Sequence, residues 1–156
     1  MNIGKKKIGK KQKITLVIAG VLLAITAVCI IVLSVYTSDY YRSEVSIEDF
    51  LESTAYTMEE FAQGIFVDGS GTKDAIIFYP GAKVEYTAYL PLCAKLAEQG
   101  VDCFLVEMPF HLAIFGMNKA GGIMENYSYE NWYLAGHSLG GAFGANYVAD
   151  NVEDFA

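Results

Sequence analysis

The segment ITLVIAGVLLAITAVCIIVLSV, residues 14–35, carries no charged side chain along 22 consecutive positions. An α-helix rises about 1.5 Å per residue, so this segment would be roughly 33 Å long as a helix. The hydrocarbon core of a bilayer is about 30 Å thick. Length and composition together predict a transmembrane helix or signal anchor.

A lysine-rich tail, residues 1–13, precedes this apolar segment. It holds six of the eleven basic residues of the chain, namely Lys5, Lys6, Lys7, Lys10, Lys11 and Lys13. Basic residues flank membrane helices on their cytoplasmic side. The tail therefore predicts a single-pass protein of the cell membrane with a cytoplasmic N-terminus and an extracytoplasmic C-terminal domain. The alternative is a cleaved signal peptide, although the apolar run exceeds the usual ~7–15 residues and no A-x-A site follows it.

The rest of the chain is strongly acidic. From residue 36 onward there are five basic and eighteen acidic residues, a net charge of −13. Such a charge repels phosphate backbones and argues against nucleic acid as a partner. Cys93 and Cys103 lack the spacing of a metal site and are interpreted as small buried side chains, with a disulfide left open as an alternative. No metal or cofactor is predicted.

Composition divides the remainder into a polar linker, residues 36–45, and one domain, residues 46–156. The domain is expected to begin with a short helix from Ser46. Two short strands are expected between residues 54 and 68, around a turn near Gln63 and Gly64.

Beyond Asp74 the pattern becomes regular. The run AIIFY is a continuous apolar stretch, typical of a strand that is buried on both faces. VDCFLVEM is interpreted as a second buried strand and WYLAGH as a third. Helical segments are expected after each, at about 88–99, within 110–126 and from 139 onward. This β-α-β-α-β-α order predicts an α/β fold, a mostly parallel sheet with flanking helices.

A candidate nucleophile stands at the end of the third apolar run. Gly136-His137-Ser138-Leu139-Gly140 matches the pattern G-x-S-x-G. In a strand-to-helix turn of this kind, side chains at both glycine positions would collide with neighbouring backbone, while the serine hydroxyl is exposed at a helix N-terminus. The position between an apolar strand and a small-residue helix favours a nucleophile over a coincidental glycine turn.

The segment YPGAK, residues 79–83, ends the first apolar run and is a candidate oxyanion loop. In an elbow-containing α/β fold, one backbone N–H of the oxyanion hole comes from this loop and the other from the residue after the nucleophile. Those donors would be Ala82 and Leu139. The alternative is that Pro80 and Gly81 form only a turn.

The two histidines of the chain are both unsuited to be the general base. In this fold the base follows the nucleophile in the sequence, whereas His111 precedes Ser138 and is interpreted as a residue of the site rim. His137 lies within the elbow and is expected to point away from the Ser138 hydroxyl.

The sequence IIFYPGAKVEYTAYLPLCAKLAEQGVDCFLVEMPFHLAIFGMNKA, followed by GHSLGGA, resembles the bacterial α/β-hydrolase family often described as alpha/beta hydrolase fold-5. The resemblance covers roughly residues 45–156. It implies a partial α/β-hydrolase fold with Ser138 as the nucleophile, and it implies that Lys83, in the PGAK loop, borders the active site.

The match is limited to the N-terminal part of that fold. The chain ends at Ala156, where a further strand is expected, and no histidine follows Ser138. We expect a membrane-anchored, esterase-like serine hydrolase represented without its triad acid and histidine, so that these 156 residues alone are inactive. Its substrate would be an ester-like small molecule or a lipid. The alternative is a non-catalytic, membrane-tethered binding protein. The edge of the strand at 132–137 is expected to be unpaired.

Overall fold

The computed structural model of the protein describes residues 9–71 and 73–156. The chain divides into two compact units, with the boundary between Ser38 and Asp39. The part of the predicted basic tail that contains Lys5, Lys6 and Lys7 lies outside the described residues.

Within its described residues, 9–38, the first unit contains helix α1, which spans Lys10–Ser38 and includes the whole apolar segment 14–35. Its apolar side chains are almost all exposed within the structure. The helix is long and apolar enough to cross a membrane, judged by its length and composition. It also extends into the predicted linker 36–45, because Tyr36, Thr37 and Ser38 continue the helix.

In the part that the structure describes, the second unit contains five strands and three α-helices, with short 3-10 turns between them. In chain order the elements are β1 (Thr57–Phe61), β2 (Gly64–Asp68), β3 (Asp74–Tyr79), α2 (Leu90–Ala97), β4 (Asp102–Val106), α3 (Lys119–Met124), β5 (Asn131–Gly136) and α4 (Leu139–Asp150). A 3-10 turn, Tyr86–Tyr89, leads directly into α2, and another, Ile47–Phe50, lies where the short helix after Ser46 is predicted.

The strands form one sheet in the order β1-β2-β4-β3-β5. The pairs β1–β2 and β2–β4 are antiparallel, and β4–β3 and β3–β5 are parallel. It follows that β1, β3, β4 and β5 run in one direction and only β2 runs against them. The predicted α/β class with flanking helices is confirmed.

Apolar side chains fill both faces of the sheet, as the continuous apolar runs predict. One face packs Phe104, Trp132 and their neighbours against α3 and α4. The other packs Phe78, Leu105 and their neighbours against α2. Cys93 in α2 and Cys103 in β4 are buried free thiols within this second cluster.

Strand β5 lies at the edge of the sheet, and within the described residues its strand partner is β3 alone. One further backbone hydrogen bond reaches this edge: the Ala156 N–H donates to the Trp132 carbonyl oxygen, at 3.0 Å. The parallel arrangement of β3, β4 and β5 places their carboxyl ends at one edge of the sheet, where ligands bind in open α/β folds.

Candidate active site

Backbone strain concentrates at the carboxyl ends of the parallel strands. Within residues 9–71 and 73–156, the non-glycine residues with positive φ are Lys83 (56°) after β3, Phe110 (55°) and His111 (54°) after β4, and Ser138 (51°) after β5. Such conformations cost about 1–3 kcal/mol each and cluster at functional sites. Three loops that are far apart in the sequence therefore share a feature typical of a built site.

Ser138 occupies a sharp turn between β5 and α4. Its φ and ψ are 51° and −118°, the residue is exposed, and α4 begins at the next residue, Leu139. A Cβ added at Gly140 would lie 2.3 Å from the carbonyl oxygens of Tyr79 and Pro80, and one at Gly136 would lie 2.6 Å from a backbone nitrogen of α4. The turn thus requires glycine at both flanking positions.

Three backbone N–H groups near this turn have no acceptor among the described residues, those of Ala82, Ser138 and Leu139. The N–H groups that follow Ala82 and Leu139 in the chain already have acceptors. The Lys83 N–H donates to the His111 carbonyl oxygen, and the Gly140 N–H donates to the His137 carbonyl oxygen. Leu139 is also the first residue of α4, where the helix dipole favours negative charge. The two donors predicted from the sequence are therefore available to an external oxyanion.

Tyr89 connects the loop after β3 with the elbow. Its hydroxyl accepts the Gly81 N–H at 3.2 Å and lies 2.8 Å from His137 Nδ1. A Cβ at Gly81 would lie 2.6 Å from that same nitrogen. The His137 ring is therefore hydrogen-bonded to Tyr89. Within the described residues, the Ser138 hydroxyl has no hydrogen-bond partner.

Nothing in the sequence around Tyr89 indicates that its hydroxyl links these two loops. No local pattern distinguishes a tyrosine that packs from one whose hydroxyl links two loops. The glycine at position 81, next to Pro80, is the only signal of close approach, and it does not identify the partner.

Replacement of Tyr89 by phenylalanine is expected to slow the reaction of Ser138 with an active-site-directed fluorophosphonate about five-fold, the effect of losing roughly 1 kcal/mol of hydrogen bonding. The ring and its packing against Phe78 are retained, so the urea midpoint is expected to stay close to that of the wild type. Tyr86→Phe, in the same 3-10 turn, is the matched control and should react at the wild-type rate. Equal rates for all three proteins would contradict a positioning role for Tyr89.

A backbone hydrogen bond joins the two predicted rim residues: the Lys83 N–H donates to the His111 carbonyl oxygen at 2.8 Å. Their side chains contact a segment that the sequence assigned to a linker. The Lys83 ammonium lies 3.5 Å from the Asp39 carboxylate, and the His111 ring stacks on Tyr40 with a centroid distance of 3.9 Å. Sequence reasoning missed Asp39 and Tyr40, because a short polar segment gives no indication of what it packs against.

The sheet order, the flanking helices and the tight turn at Ser138 define an α/β protein. The model of the alpha/beta hydrolase family matches residues 75–155, just over half of the chain. The chain belongs to the alpha/beta hydrolase family. Searches of curated proteins and of solved structures gave no match.

Proposed function

We propose that this chain carries the nucleophile of a membrane-anchored serine hydrolase, with Ser138 attacking the carbonyl carbon of an ester-like small molecule or lipid. The observation that carries the proposal is the exposed serine at φ 51° and ψ −118°, directly before the first residue of α4. That strained conformation presents the hydroxyl at a helix N-terminus, where developing negative charge is stabilised.

Charge develops on the substrate carbonyl oxygen as the Ser138 Oγ–carbon bond forms. The Ala82 and Leu139 N–H groups, which lack acceptors among the described residues, would donate to this oxygen. Preorganised donors of this kind lower the barrier by about 3–4 kcal/mol each, because they are already oriented when the charge appears.

The Ser138 proton needs a base, and the leaving alcohol needs a proton in return. His137 is engaged with Tyr89 and His111 with Tyr40, so we assign neither of them to this step. We leave the base of this step unassigned. With that base, the alcohol leaves from the tetrahedral intermediate, and water then hydrolyses the acyl-serine.

The anchor in this proposal is α1. Its apolar length matches a bilayer, and Lys10, Lys11 and Lys13 lie at its N-terminal end. By the positive-inside rule the lysines would remain in the cytoplasm and the hydrolase domain would lie on the other side of the cell membrane.

A fluorophosphonate probe tests the nucleophile, with the protein expressed in membranes from its natural gene. The wild type is expected to be labelled covalently, and Ser138→Ala is expected to lose the label entirely, because the probe phosphorylates the nucleophilic oxygen. Ser128→Ala is the matched control, since Ser128 is an exposed serine ahead of β5, and it should be labelled like the wild type.

Two results would contradict this proposal. Labelling that survives Ser138→Ala would place the nucleophile elsewhere. An unlabelled wild type that still folds would favour the second candidate, a non-catalytic, membrane-tethered binding protein. The observation that favours this second candidate is the absence of a hydrogen-bond partner for the Ser138 hydroxyl among the described residues.

A further inference from the structure

The loop that follows β4, residues 109–118, exposes an apolar surface, here called the β4 loop. Phe110 and Ile114 are each 52% exposed and Phe115 is 48% exposed. The two phenylalanine rings are in edge contact, at a centroid distance of 5.5 Å. The sequence PFHLAIFGMN contains no acidic or basic residue other than His111, although the chain beyond residue 35 is strongly acidic.

Residues 39–43, here called the juxtamembrane segment, are fixed to the loops of the candidate site. The Tyr41 N–H donates to the Lys83 carbonyl oxygen at 2.7 Å, and the Glu85 N–H donates to that of Tyr41 at 2.9 Å. The Ser43 N–H donates to the Glu85 carboxylate at 2.7 Å. Backbone hydrogen bonds of this kind hold the segment against the loop after β3.

The same segment also contacts the β4 loop. Tyr40 stacks on His111, and the His111 carbonyl oxygen accepts the Lys83 N–H. In the sequence, Asp39 alone separates Tyr40 from Ser38, the last residue of α1. The covalent link between the end of α1 and the residue that stacks on His111 is therefore short, since one residue spans at most about 3.6 Å.

We infer that the β4 loop is a lipid-contacting surface that lies in the headgroup region of the bilayer crossed by α1. The inference rests on the anchoring proposed above. An uncharged surface with aromatic side chains suits that region, in which apolar residues enter about 5–10 Å deep. Tyr36 lies in the last turn of α1, Tyr40 and Tyr41 follow the helix, and tyrosine is enriched at membrane interfaces. Lipid is favoured over a protein partner because Asp39 alone separates the proposed membrane helix from Tyr40, which stacks on His111 of the loop.

Quenching by lipid-attached nitroxides tests this surface in the full chain, reconstituted in phosphatidylcholine vesicles. An environment-sensitive maleimide dye is attached at one cysteine at a time. The native Cys29, exposed in α1, reports on the anchor, and Cys93 and Cys103 are buried. In a Cys29→Ser background, Phe115→Cys reports on the β4 loop. Val152→Cys is the control, because Val152 is 67% exposed and follows the end of α4, away from the carboxyl ends of the strands.

Dye at position 115 is expected to lose about half or more of its emission to nitroxides placed at shallow depth, whereas dye at position 152 should lose almost none. Equal emission at 115 and 152, with Cys29 quenched, would overturn the inference and leave the anchor intact. Absence of quenching at Cys29 would overturn the anchor and this inference together. Shielding of position 115 from aqueous iodide without lipid quenching would indicate a protein partner and also overturn it. Ile114→Cys replaces Phe115→Cys if the latter does not fold.

Discussion

Replacement of Gly140 by alanine is expected to lower the free energy of unfolding by about 3 kcal/mol or more. The new Cβ would lie 2.3 Å from the carbonyl oxygens of Tyr79 and Pro80. Both oxygens belong to the backbone at the end of β3, so relief requires a shift of α4 or of a central strand. Urea unfolding of the full chain in detergent micelles measures the loss through Trp132, the single tryptophan of the chain.

Gly144→Ala is the matched control in the same helix. A Cβ at this position would meet the Cδ2 atom of Leu134 at 2.2 Å, and the end of a leucine side chain can rotate away. Alanine also gains about 0.5–1 kcal/mol over glycine inside a helix, so the net change should remain within about 1 kcal/mol. A Gly140→Ala protein as stable as Gly144→Ala would show that α4 does not pack against β3 as closely as described.

The parallel core of the sheet was predictable because its signals are local. Buried strands such as β3 and β4 need continuous apolar runs, and the sequence contains them. The tight turn at Ser138 was predictable for a similar reason. Glycines at 136 and 140 are required by contacts of the turn with its own helix and with β3, and this requirement appears in the sequence as a fixed spacing around Ser138.

The order of the strands was not predictable from local patterns. Strand β2 pairs with β4 rather than with β3, which follows it in the chain. This choice is decided by long-range packing, such as the stacking of Phe66 on Phe104 at 4.4 Å. Neither residue differs in its local pattern from other aromatic residues of the chain.

Contacts around the candidate site were also not predictable, because they depend on long-range packing. The positive φ of Phe110 lies at a residue type that rarely adopts it, so the sequence favours an ordinary loop there. The juxtamembrane segment is polar, and its hydrogen bonds use mainly backbone groups, which every sequence possesses. Such a segment is indistinguishable from a solvated linker until its partners are known.

Asp102→Ala is expected to lower the free energy of unfolding by about 3 kcal/mol. Asp102 is 3% exposed, and its carboxylate accepts hydrogen bonds from the Tyr129 hydroxyl at 2.6 Å and from the Gly69 N–H at 2.8 Å. Alanine would leave both donors without this acceptor. Tyr129→Phe removes one bond and keeps the ring packed on Trp132, so urea unfolding should show a smaller loss, of about 1–2 kcal/mol. A loss of unfolding free energy for Tyr129→Phe that exceeds the loss for Asp102→Ala would contradict this account.

The pH dependence of Asp102→Asn separates the charge of this group from its hydrogen bonds. Burial raises the pKa of Asp102, although the bonds from Tyr129 and Gly69 act to lower it. Folding therefore favours the protonated carboxyl. Its contribution to stability is fully present below the ordinary pKa, near 4, and is lost as the pH rises through the raised pKa of the folded state. Asparagine does not titrate, so the stability advantage of the wild type over Asp102→Asn should shrink as the pH rises above about 4. A constant difference would mean that folding leaves the pKa of Asp102 unchanged.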